Sequence, residues 1–350
     1  MPRAPRKKSG ENIPSSFHSI IRSGRVRIAR NLQGERFPES MTSRQRHTLC
    51  ETLCQRLQTL PTFQGGTVLR MDALAQMERQ RLVEQHRISV ALQTHGDGAA
   101  VVLAADTSIA VMINEEDHIR IQVLRPNGDI RSAWAEALRI DQEIEEIVPY
   151  AYNDTLGFLT ACPTNVGTGL RASVMVNLLG LNIAEESERA SKALERLGFA
   201  VRGIWGEGSE ASGHLYQVSN QQTLGETEEE IVDRLEKAVG EVVQQERNAR
   251  LCLLQKKPWI VRDSIIRSVV ILQNACYMPA EECLDFLSAL YFGVEAGLVR
   301  GVDAPTLDRW AMELLPGHLQ LALPGAPGEM QWDCFRAERL RTLTAKLKIK

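Results

Sequence analysis

Three segments of this sequence carry arginines at spacings that could form an anion-binding site. In SGRVRIARN, Arg25 and Arg27 alternate along an extended segment, so they project from the same face. In INEEDHIRIQ, Arg120 follows Glu116 by four residues, and in TGLRAS, Arg171 follows a Gly-Thr-Gly stretch whose bare backbone can approach an anion closely. The sequence has no GxxxxGK[ST] and no strand-linked GxGxxG, so arginines must replace the usual phosphate-binding loops.

Four guanidinium groups brought together would repel one another. At a separation of 4 Å and an effective dielectric constant near 20, each pair costs on the order of 4 kcal/mol. A polyanion makes such a cluster stable, and a nucleoside triphosphate with Mg²⁺ meets this need because guanidinium groups bind phosphate oxygens bidentately. The alternative interpretation is that these are scattered surface arginines, and spacing alone does not decide between the two.

Four sequence blocks resemble, in order, those of the ATP:guanido phosphotransferases, the phosphagen kinases. They are SGRVRIARN, INEEDHIRIQ, GFLTACPTNVGTGLRASV and RGIWGEGSEASGHLYQVSNQQTLG, and they extend over about residues 20–245. The resemblance implies a guanido kinase core similar to that of glutamine synthetase, with an antiparallel β-sheet flanked by helices. It also implies ATP and Mg²⁺ as cofactors and phosphoryl transfer to a guanidinium group.

The resemblance assigns Glu116 and Glu210 to the incoming guanidinium group. The chemistry agrees, because a protonated guanidinium is a poor nucleophile and needs carboxylates to orient it and to accept a proton. Cys162 would lie beside the guanidinium and assist catalysis, and its alternative is burial as a small hydrophobic residue. Glu115 and Asp117 flank Glu116 and would point to the opposite face of a strand.

The resemblance assigns the ATP phosphates to Arg25, Arg27, Arg120 and Arg171. His118 matches a family position near the nucleotide, but a histidine beside a strand is as often structural, and both interpretations remain open. The resemblance assigns no side chain to the metal.

Within the family, the sequence is most similar to the bacterial protein-arginine kinases. The catalytic blocks begin near residue 20, without the helical domain that precedes them in the metabolite kinases. The wording of VSNQQTLG and GEGSEA resembles the bacterial version, and the helical segment after the blocks resembles its dimerisation domain. The implied protein is a cytoplasmic homodimer that phosphorylates arginines of proteins in quality control. A Clp-type AAA+ protease and a stress-response repressor are the implied partners.

Two positions depart from the family patterns. Metabolite kinases have an arginine five residues before the second catalytic glutamate, where this sequence has Trp205. One phosphate contact is therefore absent, or Arg202 supplies it. The bacterial kinases carry an RDxxRA motif that recognises phosphoarginine, and here Trp332 replaces its leading arginine. Asp333 and Arg336 remain as a possible phosphoarginine regulatory site, with its feedback function in doubt.

Two other functions remain open. The first is a kinase of a free guanidino metabolite such as arginine. The second is a non-catalytic adaptor that keeps the fold and binds arginine-rich or phosphoarginine proteins, which Trp205 and Trp332 favour. Against the adaptor, a binding module has little physical reason to keep both glutamates and all four arginines.

The elements that must position these residues follow from hydrophobic periodicity. The strand patterns VVLAADTSIAVMI and IRIQVLRPNGDI lie between the helix patterns MTSRQRHTLCETLCQRLQTL and SAWAEALRIDQEIEEIV. Their order does not settle into βαβ units, which favours an α+β domain on an antiparallel sheet. Thr227 and Glu230 form a capping box that begins a long amphipathic helix. Residues 258–348 then read almost entirely as helices.

This change of character divides the chain into three parts. Residues 1–13 are predicted to be a basic flexible tail, and residues 14–250 a guanido kinase catalytic domain. Residues 251–350 are predicted to be an all-α dimerisation or regulatory domain, because short loops between its helices favour a compact bundle.

Composition excludes several other classes of protein. A 24% charged chain with a net charge of −3 is close to an average soluble protein and does not suit general coating of nucleic acid. Neither an apolar run long enough to span a membrane nor a signal peptide is found. Seven widely spaced cysteines fit a reducing cytoplasm. His47, Cys50 and Cys54 lie at helical spacing, but with no second ligand cluster nearby a structural role is favoured over a metal site.

Overall fold

The structure is a computed structural model that describes residue 17 and residues 19–203, 212–322 and 329–350. The described strands are β1 (Ile21–Arg30), β2 (Thr67–Arg70), β3 (Ala100–Leu103), β4 (Ile109–Ile113), β5 (Ile119–Arg125), β6 (Tyr152–Asn153), β7 (Gly157–Phe158), β8 (Leu170–Asn177), β9 (Phe199–Gly203), β10 (Leu215–Asn220), β11 (Val299–Arg300) and β12 (Lys348–Ile349). The described helices are α1 (Ser43–Thr59), α2 (Gln76–Glu84), α3 (Val90–Thr94), α4 (Ile130–Glu145), α5 (Leu179–Ile183), α6 (Ser187–Arg196), α7 (Glu228–Lys256), α8 (Pro258–Asn274), α9 (Ala280–Glu295), α10 (Ala304–Glu313), α11 (Pro316–Ala322) and α12 (Glu329–Thr344).

Eight of the described strands form one sheet, in the order β2-β3-β4-β5-β1-β8-β10-β9. Every neighbouring pair in this sheet is antiparallel. The predicted α+β fold with an antiparallel sheet is therefore confirmed. The strand β1 lies between β5 and β8, so the three segments that carry the clustered arginines become neighbours.

One face of the sheet is apolar and covered by helices. Val26, Ile28, Ile121 and Val174 point to this face and are fully or almost fully buried. They belong to an apolar cluster to which α1, α4 and α7 also contribute. The helix α7 begins at Thr227, whose hydroxyl accepts from the Glu230 N–H while the Glu230 carboxylate accepts from the Thr227 N–H, so the predicted capping box is confirmed.

The opposite face of the sheet has two halves. Beside β3 and β4, Val101 and Met112 pack under α2 and α3 with Met71, Leu82 and Leu92 in a second apolar cluster. On β1, β8, β10 and β9 this face instead carries mainly arginine, glutamine and serine side chains, together with Met175 and Ala200. The functional site therefore belongs to this polar half.

The residues after the sheet form a helical region with its own apolar cluster. The boundary predicted near residue 250 falls inside α7, which continues to Lys256 before Pro258 begins α8. Besides its helices, this region contains the short antiparallel pair β11–β12, an addition to the predicted all-α domain. In the described ranges, none of the helices has both the length and the apolar character needed to cross a membrane.

A buried polar network joins the helical region to the sheet. The Arg250 side chain, 1% exposed, donates from Nε to Glu246 at 2.6 Å and from Nη2 to Asn177 Oδ1 at 2.8 Å. Its Nη1 lies 3.2 Å from Glu295 Oε2 in α9. The Glu246 carboxylate also accepts from the Gly180 N–H at 2.7 Å. Arg250 thereby connects α7, α9 and the end of β8.

The suspected metal ligands of α1 have structural positions. Cys50 and Cys54 are 2% exposed and belong to the apolar cluster under the sheet. His47 lies 3.0 Å from Asp97 on the surface. In the part of the chain that the structure describes, no group of three or more His, Cys, Asp or Glu side chains is placed to hold a metal ion.

Candidate active site

The register of three strands brings the four arginines together. Arg27 of β1 lies directly opposite Arg171 of β8, and Arg120 of β5 lies opposite Ala29, two residues along β1. Arg25 lies two residues from Arg27 in the other direction. Because opposite residues and residues two apart share a face of a sheet, all four side chains project from the polar half. We call these four side chains the arginine cluster.

Three arginines of the cluster line a cavity of about 730 Å³. Ala200 and residues 220–223, from the end of β10 onward, contribute to its walls. The charged and reactive side chains that line it are Arg27, Arg120, Arg171, Arg202, Glu116 and Cys162. The fourth arginine of the cluster, Arg25, lines a smaller cavity with His86 and Gln217. One cavity therefore combines three of the four arginines with an acid and a thiol.

The arginine cluster is electrostatically unfavourable as it stands. Desolvation, followed by repulsion from Arg171 and Arg120, lowers the pKa of Arg25 to about 10. Desolvation and the same kind of repulsion lower the pKa of Arg27 well below its usual value, and the Glu115 carboxylate offsets this only in part. Among the described residues, the buried Nε of Arg27 has no hydrogen-bond partner. A bound polyanion would supply both the missing acceptor and the missing negative charge.

The Arg120 guanidinium is shared by two adjacent glutamates. Nη1 pairs with Glu115, whose side chain is 1% exposed, while Nη2 lies 3.2 Å from Glu116 Oε2. The Glu116 side chain is 45% exposed and lines the cavity. The expectation that Glu115 and Asp117 point to the opposite face from Glu116 assumed a strand, whereas residues 114–118 form a bend between β4 and β5. Glu116 is thus the acid of this bend that can meet a substrate.

Asp117 and His118 hold the surrounding loops. Asp117 Oδ1 accepts from Asn31 Nδ2 and from the Ala161 N–H, each at 2.7 Å. The fully buried His118 ring accepts at Nδ1 from the Leu32 N–H at 3.1 Å, and its Nε2 lies 2.8 Å from the Arg36 carbonyl oxygen. Burial lowers the pKa of His118, so the neutral ring suits these two contacts. The structure therefore favours the structural interpretation of His118 over a nucleotide contact.

Cys162 opens a turn at the edge of the cavity. Its side chain is partly exposed, and its Sγ lies 3.0 Å from Thr164 Oγ1. Cys162 and Glu116 line the same cavity, as their predicted roles at one guanidinium group require. The burial expected of a structural cysteine is not found here.

The Gly-Thr-Gly stretch needs its glycines to pack against protein backbone. Gly167 and Gly169 have φ of +110° and +66°, where side chains are disfavoured. A Cβ on Gly169 would lie 2.5 Å from the Ala29 carbonyl oxygen, and one on Gly167 would lie 2.2 Å from that of Thr223. The bare backbone therefore brings Arg171 close to β1, whereas the sequence interpretation gave these glycines the function of admitting an anion.

The Arg30 side chain holds the Gly-Thr-Gly stretch in place. Its Nη1 donates to the Thr168 carbonyl oxygen at 2.8 Å, and its Nη2 donates to Asp141 Oδ2 at 2.6 Å. The guanidinium also lies 3.5 Å from the centre of the Phe158 ring. Arg30 is thus a structural arginine, although it comes only three residues after Arg27.

Sequence reasoning missed several polar residues around the cluster. Gln217 Oε1 accepts from Arg25 Nη2 at 2.8 Å, and Gln217 lies opposite Arg202 in the pairing of β10 with β9. Desolvation and the charges of Arg25 and Arg27 lower the pKa of His86 to about 4. The alternating pattern LYQVSN, with Gln217 and Ser219 on one face, was the signal available in the sequence. His86, outside any regular pattern, gave none.

Two predicted residues lie outside the described residues. Glu210 and Trp205 both fall within residues 204–211. Arg202, the candidate to supply a phosphate contact in place of the arginine that metabolite kinases have at the position of Trp205, does line the cavity.

Arg336 of the predicted phosphoarginine site bonds groups inside the helical region. Arg336 is 1% exposed and donates from Nε to the Leu314 carbonyl oxygen and from Nη1 to that of Met278, each at 2.7 Å. Nη1 also pairs with Asp333. Trp332 is 6% exposed within the apolar cluster of this region. Arg336 therefore satisfies backbone carbonyl oxygens inside the bundle. Its guanidinium could bind a phosphate only if those hydrogen bonds were broken.

Two family models match consecutive parts of the chain. The model described as ATP:guanido phosphotransferase, C-terminal catalytic domain, matches residues 48–249. The model described as protein-arginine kinase McsB C-terminal domain matches residues 258–350.

Similar proteins extend over nearly the whole chain. The chain is 40% identical over 326 residues to the protein-arginine kinase of Halothermothrix orenii, covering 92% of each chain. It is 39% identical to that of Moorella thermoacetica, covering 93% of this chain and 94% of that one. It is 37% identical to that of Bacillus subtilis, covering 92% and 89%.

Solved structures with a similar fold cover less of the chain. The substrate-free duplicated taurocyamine kinase from Schistosoma mansoni superposes with a TM-score of 0.59 at 25% identity, covering 74% of this chain and 40% of that one. Lombricine kinase superposes with a TM-score of 0.57 at 26% identity, covering 66% of this chain and 67% of its own.

Proposed function

We propose that this chain, which belongs to the ATP:guanido phosphotransferase family, transfers the γ-phosphoryl group of ATP to arginine side chains of proteins. The observation that carries the chemistry is the cavity in which three arginines of the cluster lie beside Glu116 and Cys162. Protein arginine as the acceptor is supported by the relatives named protein-arginine kinase, which match along nine tenths of both lengths.

The arginine cluster would bind the triphosphate. Arg27, Arg120 and Arg171 line the cavity, and Arg25 lies two residues from Arg27 on the same face of β1. Arg202 is our candidate for the phosphate contact that Trp205 cannot make. Mg²⁺, when bound, would neutralise part of the phosphate charge.

Glu116 would orient the acceptor and take its proton. An arginine guanidinium is protonated at ordinary pH, so one N–H must be lost as nitrogen attacks the γ-phosphorus and the bond to the β-phosphate oxygen breaks. The exposed Glu116 carboxylate can receive that proton. Arg120 orients this carboxylate, because its Nη2 lies 3.2 Å from Glu116 Oε2. Glu210 would be the second orienting carboxylate, and negative charge on Cys162 would further favour the guanidinium.

A free guanidino metabolite is the second candidate acceptor. It is favoured by the fold similarity to taurocyamine kinase and lombricine kinase. However, those chains cover 74% and 66% of this one, whereas residues 258–350 match a domain described for protein-arginine kinase.

The assembly and cellular partners are also part of the proposal. A homodimer through the helical region is supported by exposed apolar side chains on α8, where Trp259 is 65% and Val270 48% exposed. The family resemblance further implies a cytoplasmic location and a function in protein quality control, with a Clp-type AAA+ protease and a stress-response repressor as partners.

The acceptor can be tested directly by offering an unfolded protein and free arginine together with ATP. We expect acid-labile phosphate on protein arginines, detected by mass spectrometry under conditions that spare the N–P bond.

Glu116→Gln should lower the rate by about 10²–10⁴-fold, since it removes the proton acceptor. Glu241→Gln, an exposed acid of α7, is the matched control. Phosphate on free arginine alone would reject the protein acceptor.

A further inference from the structure

A buried carboxylate of α2 is bound by the first turn of α11, in the helical region. Glu84 Oε1 accepts from the Gly317 N–H at 2.7 Å. Glu84 Oε2 accepts from the His318 N–H at 3.2 Å and lies 2.8 Å from His318 Nδ1. The Glu84 side chain is fully buried. Because a buried carboxylate is costly unless its oxygens are bonded, these contacts tie the two helices together.

The approach of the two helices depends on the absence of a side chain at Gly317. A Cβ there would lie 2.8 Å from the Arg81 backbone nitrogen and 3.0 Å from both Gln80 Cγ and Glu84 Oε2. The backbone nitrogen cannot move aside without shifting α2. Gly317→Ala, which adds one carbon, therefore tests the contact between α2 and α11 specifically.

The residues that follow Glu84 lead directly to the arginine cluster. The His86 carbonyl oxygen accepts from Gln122 Nε2, and Gln122 lies opposite Arg27 across β1 and β5. The His86 side chain and Arg25 line the same small cavity. Residues 84–86 therefore support the Arg25 side of the cluster.

The same segment also reaches the other side of the cluster. Ser89 Oγ donates to the Glu115 carboxylate, which pairs with Arg120. Residues 84–89 thus form a short bridge between α11 and both ends of the cluster.

We propose that Glu84, Gly317 and His318 are positioning residues, through which the helical region sets the geometry of the arginine cluster and hence the affinity for ATP. This inference rests on the proposed function. By thermodynamic linkage, a contact that favours nucleotide binding is itself stabilised when nucleotide binds.

The proposal is tested by nucleotide affinity in the full-length chain. Gly317→Ala and Glu84→Ala should raise the dissociation constant for ATP, measured by calorimetry, and the KM for ATP by about tenfold, below the 10²-fold cost of a 1 Å displacement at a reacting group. The KM for the protein acceptor should stay unchanged. Glu84→Gln keeps an oxygen for the Gly317 N–H and should restore most of the affinity.

A stability control separates positioning from general damage. Ile265→Ala removes a side chain buried in the core of the helical region, in α8, and should lower Tm with the ATP dissociation constant unchanged. An equal loss of affinity in Ile265→Ala, or wild-type affinity in both Gly317→Ala and Glu84→Ala, would overturn the proposal.

Hydrogen exchange provides a second readout that needs no variant. Saturating ATP should slow exchange of the Gly317 and His318 amides in the wild-type chain. Unchanged exchange at these amides would reject the coupling while leaving the kinase proposal intact. A wild-type chain that binds no ATP would instead reject the proposed function, and this inference with it.

Discussion

Two pairs of arginines in this molecule contrast with each other. Arg30 and Arg250 are each 1% exposed, and each bonds a carboxylate at 2.6 Å, Asp141 and Glu246 respectively. Arg25 and Arg27, in the cluster, are desolvated and lie close to further positive charges, which lowers the pKa of both. Carboxylates of the protein neutralise the first set, whereas a bound anion would relieve the repulsion in the second.

The cost of keeping Arg25 charged can be compared with the stability of a typical protein. Lowering the pKa of Arg25 from 12.5 to about 10 corresponds to about 3 kcal/mol against its charged form, at 1.36 kcal/mol for each pKa unit. This is a sizeable part of the 5–15 kcal/mol by which native proteins are typically stable. Substitutions in the two sets should therefore affect stability and activity in opposite ways.

The largest effect on stability is expected at the paired arginines. Arg250→Met leaves the Glu246 carboxylate buried without its cation and should lower the free energy of unfolding by about 3–5 kcal/mol in chemical denaturation. Arg267→Met breaks an ion pair of the same i,i+4 spacing, with Asp263, but on the surface. It should cost less than about 1 kcal/mol. Equal losses in the two variants would contradict the distinction.

Substitution in the cluster should reduce activity and spare the fold. Arg27→Met removes a proposed donor to the ATP phosphates and should lower kcat/KM by about 10²–10³-fold. The free energy of unfolding without nucleotide should be unchanged or higher, because one repelling charge is gone. In parallel, ATP at 100 times its dissociation constant should stabilise the wild-type chain by about 2.7 kcal/mol and the variant by less. If Arg27→Met kept its kcat/KM but had a lower free energy of unfolding, Arg27 would belong with the structural arginines.

The smallest expected effect is a pH dependence of stability that arises from the positive charge of the cluster next to His86. His86 has a pKa of about 4 in the folded chain against 6.5 unfolded, so the folded state stays neutral where the unfolded state binds a proton. Stability should be full above about pH 6.5 and fall by about 1–3 kcal/mol as pH decreases toward 4. Denaturation at several pH values should show this slope in the wild type and lose it in His86→Gln. Arg27→Met should make it shallower.

The sequence predicted much of this arrangement because strands alternate with a period of two. Arg25 and Arg27 had to share a face, and the apolar residues between them had to occupy the other. The capping box at Thr227 and the antiparallel sheet were likewise readable from local pattern. The roles of Glu116, Cys162 and Glu210 came from family resemblance and stay predictions until activity is measured.

Some side-chain positions depended on contacts that the sequence does not encode. The polar atoms of His118 bond backbone groups at Leu32 and Arg36, and those of Arg336 bond backbone groups at Met278 and Leu314. Glu115 lies in a bend and not in the expected strand. Burial and local breaks in geometry are not encoded by neighbouring residues, and the assigned roles of His118 and Arg336 stay predictions.

The sequence by itself determined which residues could carry positive charge, which segments are extended, and that the usual phosphate-binding loops are missing. Only the tertiary structure decided which arginines pair with buried carboxylates and which lie close to other guanidinium groups. The physical reason is that desolvation and charge pairing depend on strand register and on packing between segments far apart in the chain. Arg27 and Arg30 lie three residues apart, and their partners alone make one a candidate ligand-binding group and the other a structural support.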